Sequence, residues 1–158
     1  MKRDVLRAVR EHLDACGVPY RETVHAPTYT SAEAAAARGE PLEIGGKAIV
    51  AKVGREFALF VLPGARRLHS RAICKRLGVT RFRFASREEL LALTGLEPGC
   101  VPPFGRPVFD LPLYLDAGLA AGDRIAFNAG AHTVSMLLAM DDYKAAARPD
   151  AVFPLARD

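Results

Sequence analysis

Apolar residues recur along this 158-residue chain with two different periods, and the change from one to the other marks out the elements. Val5, Leu6, Val9 and Leu13 fall at helical spacing with Gly17 just beyond, which predicts an amphipathic helix over about residues 3–15. Val18 to His25 reads as a short strand. Thr30 stands three residues before Glu33, the spacing of a capping box, so a helix starts there and runs to about Arg38. Lys47–Val53 and Phe57–Leu62 are β-rich runs around Gly54-Arg55-Glu56, the pattern of a hairpin. Leu68–Leu77 has helical spacing and stops at Gly78, Arg81–Phe84 alternates basic and aromatic residues as a half-exposed strand, and Ser86 caps a short helix over Arg87–Leu93. Further on, Val108–Leu115 reads as a strand and Asp116–Leu119 as a turn or short helix. Ile125–Asn128 and Thr133–Leu138 read as paired strands, Asp141 as the cap of a last helix through Ala147, and Ala151–Pro154 as a sheet edge. Strands in hairpins mixed with helices predict an α/β fold of the α+β type, a mixed, largely antiparallel sheet flanked by helices. The length suits one domain over residues 1–158, with no linker or repeat visible.

Composition narrows the setting. Cys16, Cys74 and Cys100 are odd in number and far apart, so neither a disulfide framework nor a Cys-x-x-Cys metal site is expected. No apolar run approaches the roughly 18 residues of a spanning helix, and the N-terminus lacks the apolar core of a signal peptide. A reduced, cytoplasmic protein without membrane partners is the expectation. The net charge of +4 conceals a sharper asymmetry: residues 66–87 carry 8 basic and no acidic side chains, whereas residues 88–158 carry 5 basic and 10 acidic. Arg66, Arg67, Arg71, Lys75 and Arg76 lead that basic tract. Guanidinium groups suit bidentate phosphate contact, so an RNA backbone is a natural partner for the tract; a solvated helix face followed by an edge strand is the bland reading of the same residues.

Three segments carry candidate chemistry. Leu96-Glu97-Pro98-Gly99-Cys100-Val101-Pro102-Pro103-Phe104-Gly105 has neither helical nor strand period, and half of it is glycine or proline. Such a loop is either a plain turn or a rigid cradle that frees the N–H groups of Gly99, Cys100 and Val101 for an oxyanion. Gly45-Gly46-Lys47 places one of only five lysines at the mouth of a strand, where its ammonium is suited to an anion or a carbonyl. Asn128-Ala129-Gly130-Ala131-His132 is a turn whose amide and imidazole either serve the turn or reach a ligand. His25 and Tyr29 flank the bend Ala26-Pro27-Thr28, where local hydrogen bonding competes with a pocket role. Cys100 has no base nearby in sequence and reads as a spectator side chain. No Ser/His/Asp set, paired-carboxylate site or metal-ligand cluster is evident, and neither metal nor cofactor is expected.

In order and spacing these segments resemble the YbaK/ProX family of aminoacyl-tRNA deacylases, whose fold also serves as an editing domain inserted in many bacterial prolyl-tRNA synthetases. The family's glycine-xxx-proline loop falls on Gly99 to Pro103, its lysine on Lys47, and its glycine-x-histidine turn on Gly130 and His132. After the lysine, some alanine-specific members have Asn; this chain has Ala48. The resemblance implies a trans-editing hydrolase that cleaves the ester of a mischarged aminoacyl-tRNA, with the substrate's own ribose hydroxyl or side chain assisting. Lys47 and the Gly99, Cys100 and Val101 backbone would form the catalytic part. His25, Tyr29, Pro102, Pro103, Phe104, Gly105, Asn128, Gly130 and His132 would line the substrate pocket, a small apolar second sieve walled by the Gly99–Gly105 loop. The acceptor end of the tRNA would lie on Arg66, Arg67, Arg71, Lys75 and Arg76, with an aminoacyl-tRNA synthetase as a further partner. The alternative class is a module that binds an aminoacyl or RNA end, or a synthetase, and hydrolyses nothing.

Overall fold

The computed structural model describes residues 4–158. Helix α1 (Val5–Cys16) is capped by the Asp4 carboxylate, which accepts from the Arg7 amide, and ends where Gly17 turns left-handed. Its buried positions Val5, Val9 and Leu13 are the periodic ones that the sequence singles out. Position 3, the expected start of this helix, lies outside the described residues. Strand β1 (Arg21–Val24) leads through a bend to helix α2 (Ser31–Arg38), where Thr30 accepts from the Glu33 amide.

Strands β2 (Gly46–Val53) and β3 (Glu56–Pro63) form the expected hairpin, in the register Lys47 opposite Leu62 and Ala51 opposite Ala58. The next elements are β4 (Arg67–Leu68), α3 (Ser70–Leu77), β5 (Phe82–Phe84) and α4 (Arg87–Thr94), the last with a full Ser86/Glu89 capping box. After the glycine/proline loop come β6 (Leu113–Asp116), α5 (Ala117–Ala120), β7 (Arg124–Asn128), β8 (Val134–Ala139), α6 (Met140–Ala147), β9 (Ala151–Phe153) and β10 (Ala156–Arg157).

The strands divide into a five-stranded mixed sheet, β5-β2-β3-β6-β9, and a three-stranded antiparallel sheet, β1-β8-β7, with β10 paired to β4. Strand β3 is central in the larger sheet. Leu59 and Val61 belong to the main core with α1 and the smaller sheet, whereas Ala58, Phe60 and Leu62 belong to a second core with Ile73 of α3, Phe153 and Leu155. Because successive side chains point to opposite faces, a strand covered on both sides must be apolar at every position, hence the unbroken Ala58–Leu62 run.

Several expected boundaries move: the strand expected over Val18–His25 is only Arg21–Val24, and the helix expected from Leu68 starts at Ser70, with Leu68 in β4. The strand assigned to Val108–Leu115 begins only at Leu113; Val108, Phe109 and Leu111 are buried within a turn-rich segment between Pro107 and Pro112. Proline has no amide to offer a ladder, so this apolar run packs as a plug. The last helix starts at Met140 with Ala139 in the cap position, and Asp141 sits in its first turn, where its charge complements the helix dipole.

Besides packing face to face in the main core, the two sheets approach backbone to backbone at the start of β2. An isolated bridge joins Gly45 to Ala126, and a Cβ on Gly46 would stand 2.8 Å from Ile125 Cδ1, so only glycine lets β2 begin this close to β7. Lys47 is the next residue.

Candidate functional site

At this junction lies a cleft of about 200 Å³, smaller than the roughly 300–1,000 Å³ of sites for larger ligands, so it admits a small group. One wall is a single face of α2, Ser31, Ala34 and Arg38, together with Thr28 and Tyr29 before it. The start of β2 from Gly45 to Ile49 forms the floor, and Gly99, Val101, Asn128 and His132 close the far side. No carboxylate lines it.

Lys47 is half-buried and appears in no ion pair among the described residues; burial alone pushes its ammonium below the ordinary lysine value. Arg38 is desolvated more strongly, and its guanidinium falls from the usual 12.5 to about 10 for that reason. Its Nε donates to Ser135 Oγ at 2.8 Å and its Nη2 to Asn128 Oδ1 at 3.1 Å. Both partners are neutral. The chain of bonds extends at each end. Ser135 Oγ lies 2.8 Å from His25 Nε2 and 3.4 Å from Asn128 Oδ1, to which it donates, and His25 Nδ1 lies 2.8 Å from the Ala26 carbonyl. Asn128 Nδ2 donates to the Gly99 carbonyl at 2.8 Å.

The loop is held peptide by peptide. The Gly99–Cys100 peptide is fixed by Asn128 on its carbonyl and by the bond from the Cys100 amide to the Glu97 carbonyl at 3.1 Å. The Cys100–Val101 peptide is fixed by the Gly130 amide, which donates to the Cys100 carbonyl at 2.9 Å. In a trans peptide the N–H points opposite to the C=O, so the Val101 amide is turned away from Gly130. This corrects the expectation of three free amides. The Cys100 donor is spent inside the loop, and the Gly99 and Val101 amides remain as donors on residues that line the cleft.

His132 packs beside Gly99, where a Cβ would meet its Cε1 at 3.0 Å, and beneath Tyr29, with ring centroids 4.7 Å apart. Its Nδ1 is buried without a hydrogen-bond partner, as is Thr28 Oγ1 in the same cleft. Buried polar atoms are nearly always satisfied, so two orphans on residues of opposite walls set this cleft apart from an ordinary packed interior.

Of the residues named from sequence, the structure brings Tyr29, Lys47, Gly99, Val101, Asn128 and His132 to the cleft. His25 stands behind Ser135. Cys100, Pro102, Pro103, Phe104, Gly105 and Gly130 do not line it. Phe104 is 1% exposed, its ring set against Phe127 and Tyr143, and the Pro103 carbonyl accepts from Tyr143 Oη at 2.6 Å. These residues anchor the loop from the core side, so the cleft is walled by the Gly99–Val101 end alone. It is also less apolar than a purely hydrophobic sieve, with only Ala34, Ala48, Ile49 and Val101 as apolar side chains. Arg38, Thr28 and Ser31 were not anticipated.

The basic tract begins beside the cleft, since Gly64 lines it and Arg66 and Arg67 follow. Arg66, Arg67, Arg71, Lys75 and Arg76 are all exposed. Arg66 lies 3.9 Å from the exposed Asp158 carboxylate, and Arg83 and Arg87 are paired with Glu89 and Glu97, all from beyond the tract, which shortens the positive field predicted from composition.

Comparison with known proteins agrees with this geometry. A family model described as an aminoacyl-tRNA editing domain matches residues 25–146. The chain belongs to that family. Every cleft-lining residue falls within the matched span. A multifunctional Ser/Thr-tRNA deacylase, ProXp-y, of Escherichia coli is 31% identical over 144 residues, which cover 86% of this chain and 84% of that protein. A proline–tRNA ligase of Shouchella clausii is 36% identical over 107 residues, 66% of this chain, and the match spans only 19% of that much longer protein. The solved structure of a candidate trans-editing enzyme for prolyl tRNA synthetase superposes with a TM-score of 0.83 at 27% identity, covering 99% of both chains. The mixed α/β fold with helices flanking its sheets is thereby shared with an editing protein. Among the described residues no helix is long and apolar enough to cross a membrane, and no group of three His, Cys, Asp or Glu side chains gathers as a metal site.

Proposed function

We propose that this editing-family chain, acting as one domain over residues 1–158, hydrolyses the ester that joins a wrongly attached amino acid to the 3′ end of a tRNA. The observation that carries the reading is the meeting, on the lining of one small cleft, of a desolvated Lys47 and of Gly99 and Val101, whose amides, like the Lys47 ammonium, have no partner among the described residues. Water adds to the ester carbonyl carbon, the carbonyl oxygen becomes an oxyanion, the carbon–oxygen bond to the ribose breaks, and the ribose oxygen leaves with a proton. The amino acid is released as the free acid. Negative charge develops on one oxygen only, and preorganised donors in a site partly shut off from water stabilise it most effectively. Lys47 and the two amides supply those donors. The His132 imidazole, kept in place by the Tyr29 ring, braces the Gly99 end of the donor loop. The substrate's neighbouring ribose hydroxyl relays the proton to the leaving oxygen.

Residues 66–76 steer the acceptor stem, because they begin next to Gly64 and their cations are exposed. The test is release of free amino acid from a panel of mischarged tRNAs by the purified protein, with seryl and threonyl esters first because the Escherichia coli relative is described as a deacylase for both. Turnover of at least one ester, abolished in Lys47→Ala, is the expected result. Release no faster than spontaneous hydrolysis for every ester would remove the proposal.

A further inference from the structure

Arg38 is the largest charge in the cleft that the hydrolytic chemistry does not use. Its guanidinium is held in one plane by Ser135 on Nε and Asn128 on Nη2, which fixes where its remaining N–H groups point. Nη1 makes no hydrogen bond among the described residues and lies beside Gly45 on the cleft floor, 3.6 Å from where a Cβ there would stand. A guanidinium in partly dry surroundings, with neutral neighbours on two nitrogens and no carboxylate lining the Lys47 cleft, lacks its counter-ion; Glu40, which shares a smaller second cavity with Arg38, is paired with Arg21 and Arg124. An arginine that served only to hold Asn128 and Ser135 would need no open, planar donor pair facing the cavity. We infer that Arg38 is an anion-binding residue and that its ligand is the phosphodiester group immediately preceding the terminal adenosine of the tRNA.

The inference rests on the hydrolase reading for the identity of the anion. An aminoacyl ester carries a positive α-ammonium, so the terminal phosphates are the anions common to every such substrate, and bidentate guanidinium contact matches a phosphate edge. The other source of an anion would be a carboxylate side chain on the acyl group, which only aspartyl and glutamyl esters have. Lys47 then serves the ester from the floor of the cleft, and Arg38 the nucleotide from the α2 wall.

The experiment has two arms, each comparing wild type with Arg38→Gln and Arg38→Lys. In the first, binding of adenosine 5′-monophosphate is compared with binding of adenosine by calorimetry. In the second, hydrolysis of 3′-seryl adenosine is compared with that of its 5′-phosphorylated form. The readout is the ratio between phosphorylated and unphosphorylated ligand within each protein, so a loss through Asn128 that affects both cancels. Wild type is expected to favour the phosphorylated partner about 10- to 100-fold, the range of a charge-assisted hydrogen bond, with a ratio near one in Arg38→Gln and a partial return in Arg38→Lys. A ratio that survives in Arg38→Gln, or is absent in wild type, overturns the inference. So does a selective loss on aspartyl adenosine, which would assign the anion to the acyl group. If wild type releases no amino acid from any mischarged tRNA of the panel yet shows an Arg38-dependent preference for the monophosphate, the phosphate site stands and the hydrolase reading fails. Folding of each variant is checked by its thermal transition, and the Lys variant carries the test if the Gln variant does not fold.

Discussion

Replacing Gly99 by alanine is the most discriminating change the structure offers. Gly99 has φ of +87°, a conformation that costs an L-residue about 1–2 kcal/mol. The added Cβ would also stand 3.0 Å from His132 Cε1 and 3.6 Å from its Nδ1. The imidazole can yield by a few tenths of an ångström, because the Tyr29 ring above it is 73% exposed and free to move outward. The steric term therefore adds little to the backbone term, and the whole change should destabilise by about 1–2 kcal/mol, or lower Tm by about 2–8 °C in a domain of this size. The effect on rate should be much larger. Relaxing the strain turns the Gly99 amide away from its place in the cleft, so deacylation should fall about 10- to 1,000-fold, the loss that follows removal of an oxyanion donor.

Gly95 supplies the matched control. Its φ is +76°, nothing stands within 4 Å of an added Cβ, and it ends α4 away from the cleft. Gly95→Ala should show a similar drop in Tm with deacylation near that of wild type. The assay is initial-rate release of amino acid from one mischarged tRNA, at a temperature where both variants are folded, with Tm measured alongside. Equal loss of activity in the two variants would mean that the Gly99 effect is stability alone. A Gly99→Ala protein that keeps wild-type rates would mean that the loop does not supply the donor.

Lys47→Met should abolish turnover yet raise Tm at neutral pH. Because burial lowers the folded pKa of Lys47, the native state binds fewer protons than the unfolded chain between that value and the usual 10.5, so wild-type stability gains with rising pH across this window and the variant should lose that gain, as pH-dependent melting would reveal; a lower Tm for the variant contradicts this. Tyr143→Phe removes the 2.6 Å bond to the Pro103 carbonyl and leaves that buried oxygen unpaired, so it should destabilise by about 1–3 kcal/mol and lower kcat through the loosened loop, measured by denaturant unfolding and steady-state kinetics; wild-type stability would show that the bond does not hold the loop. Reversing the charge of Arg71 and Lys75 should weaken full-length tRNA binding and flatten its salt dependence by roughly 0.7 to 0.9 in log–log slope per lost contact, and an unchanged slope in a salt titration returns the tract to an ordinary solvated surface.

What could be read from the sequence follows a physical division. Local signals were legible: Thr30, Ser86, Gly17 and Gly78 delimit helices through caps that depend only on neighbouring residues. Lys47 was legible too, because a rare lysine followed a glycine pair, and the structure shows that pair to be where two sheets touch. Arg38 was not. It follows four alanines at a helix end, where an arginine commonly complements the helix dipole, and only the approach of β7 and β8 turns it inward onto Asn128 and Ser135. The spacing of Ser31, Ala34 and Arg38 along one helix face was the available signal, but small and polar residues give a weak hydrophobic pattern. The loop was over-read for a related reason. Pro102 to Gly105 looked ligand-facing because glycine and proline mark shaped backbone, while the partners that pull them into the core, Phe127 and Tyr143, lie 23 to 40 positions away along the chain.

On the proposed function, the distribution of charge would separate two stages of recognition. Away from the cleft the chain pairs many of its arginines: Arg10 with Glu22, Arg21 and Arg124 with Glu40, Arg83 with Glu89, Arg87 with Glu97. The acids are therefore available, and yet neither Lys47 nor Arg38 has one. An unpaired cation lowers stability most where it is buried, and its attraction for an incoming anion is strongest in the same place, since both grow as the local dielectric falls. The exposed tract at residues 66–76 acts in water at long range and is screened within about 10 Å at 0.1 M salt. The cleft cations act at contact and are screened far less. Raising salt should therefore slow capture of the tRNA well before it weakens the hold on a terminal nucleotide already seated, and full-length and minimal substrates would part company along the salt axis for this reason.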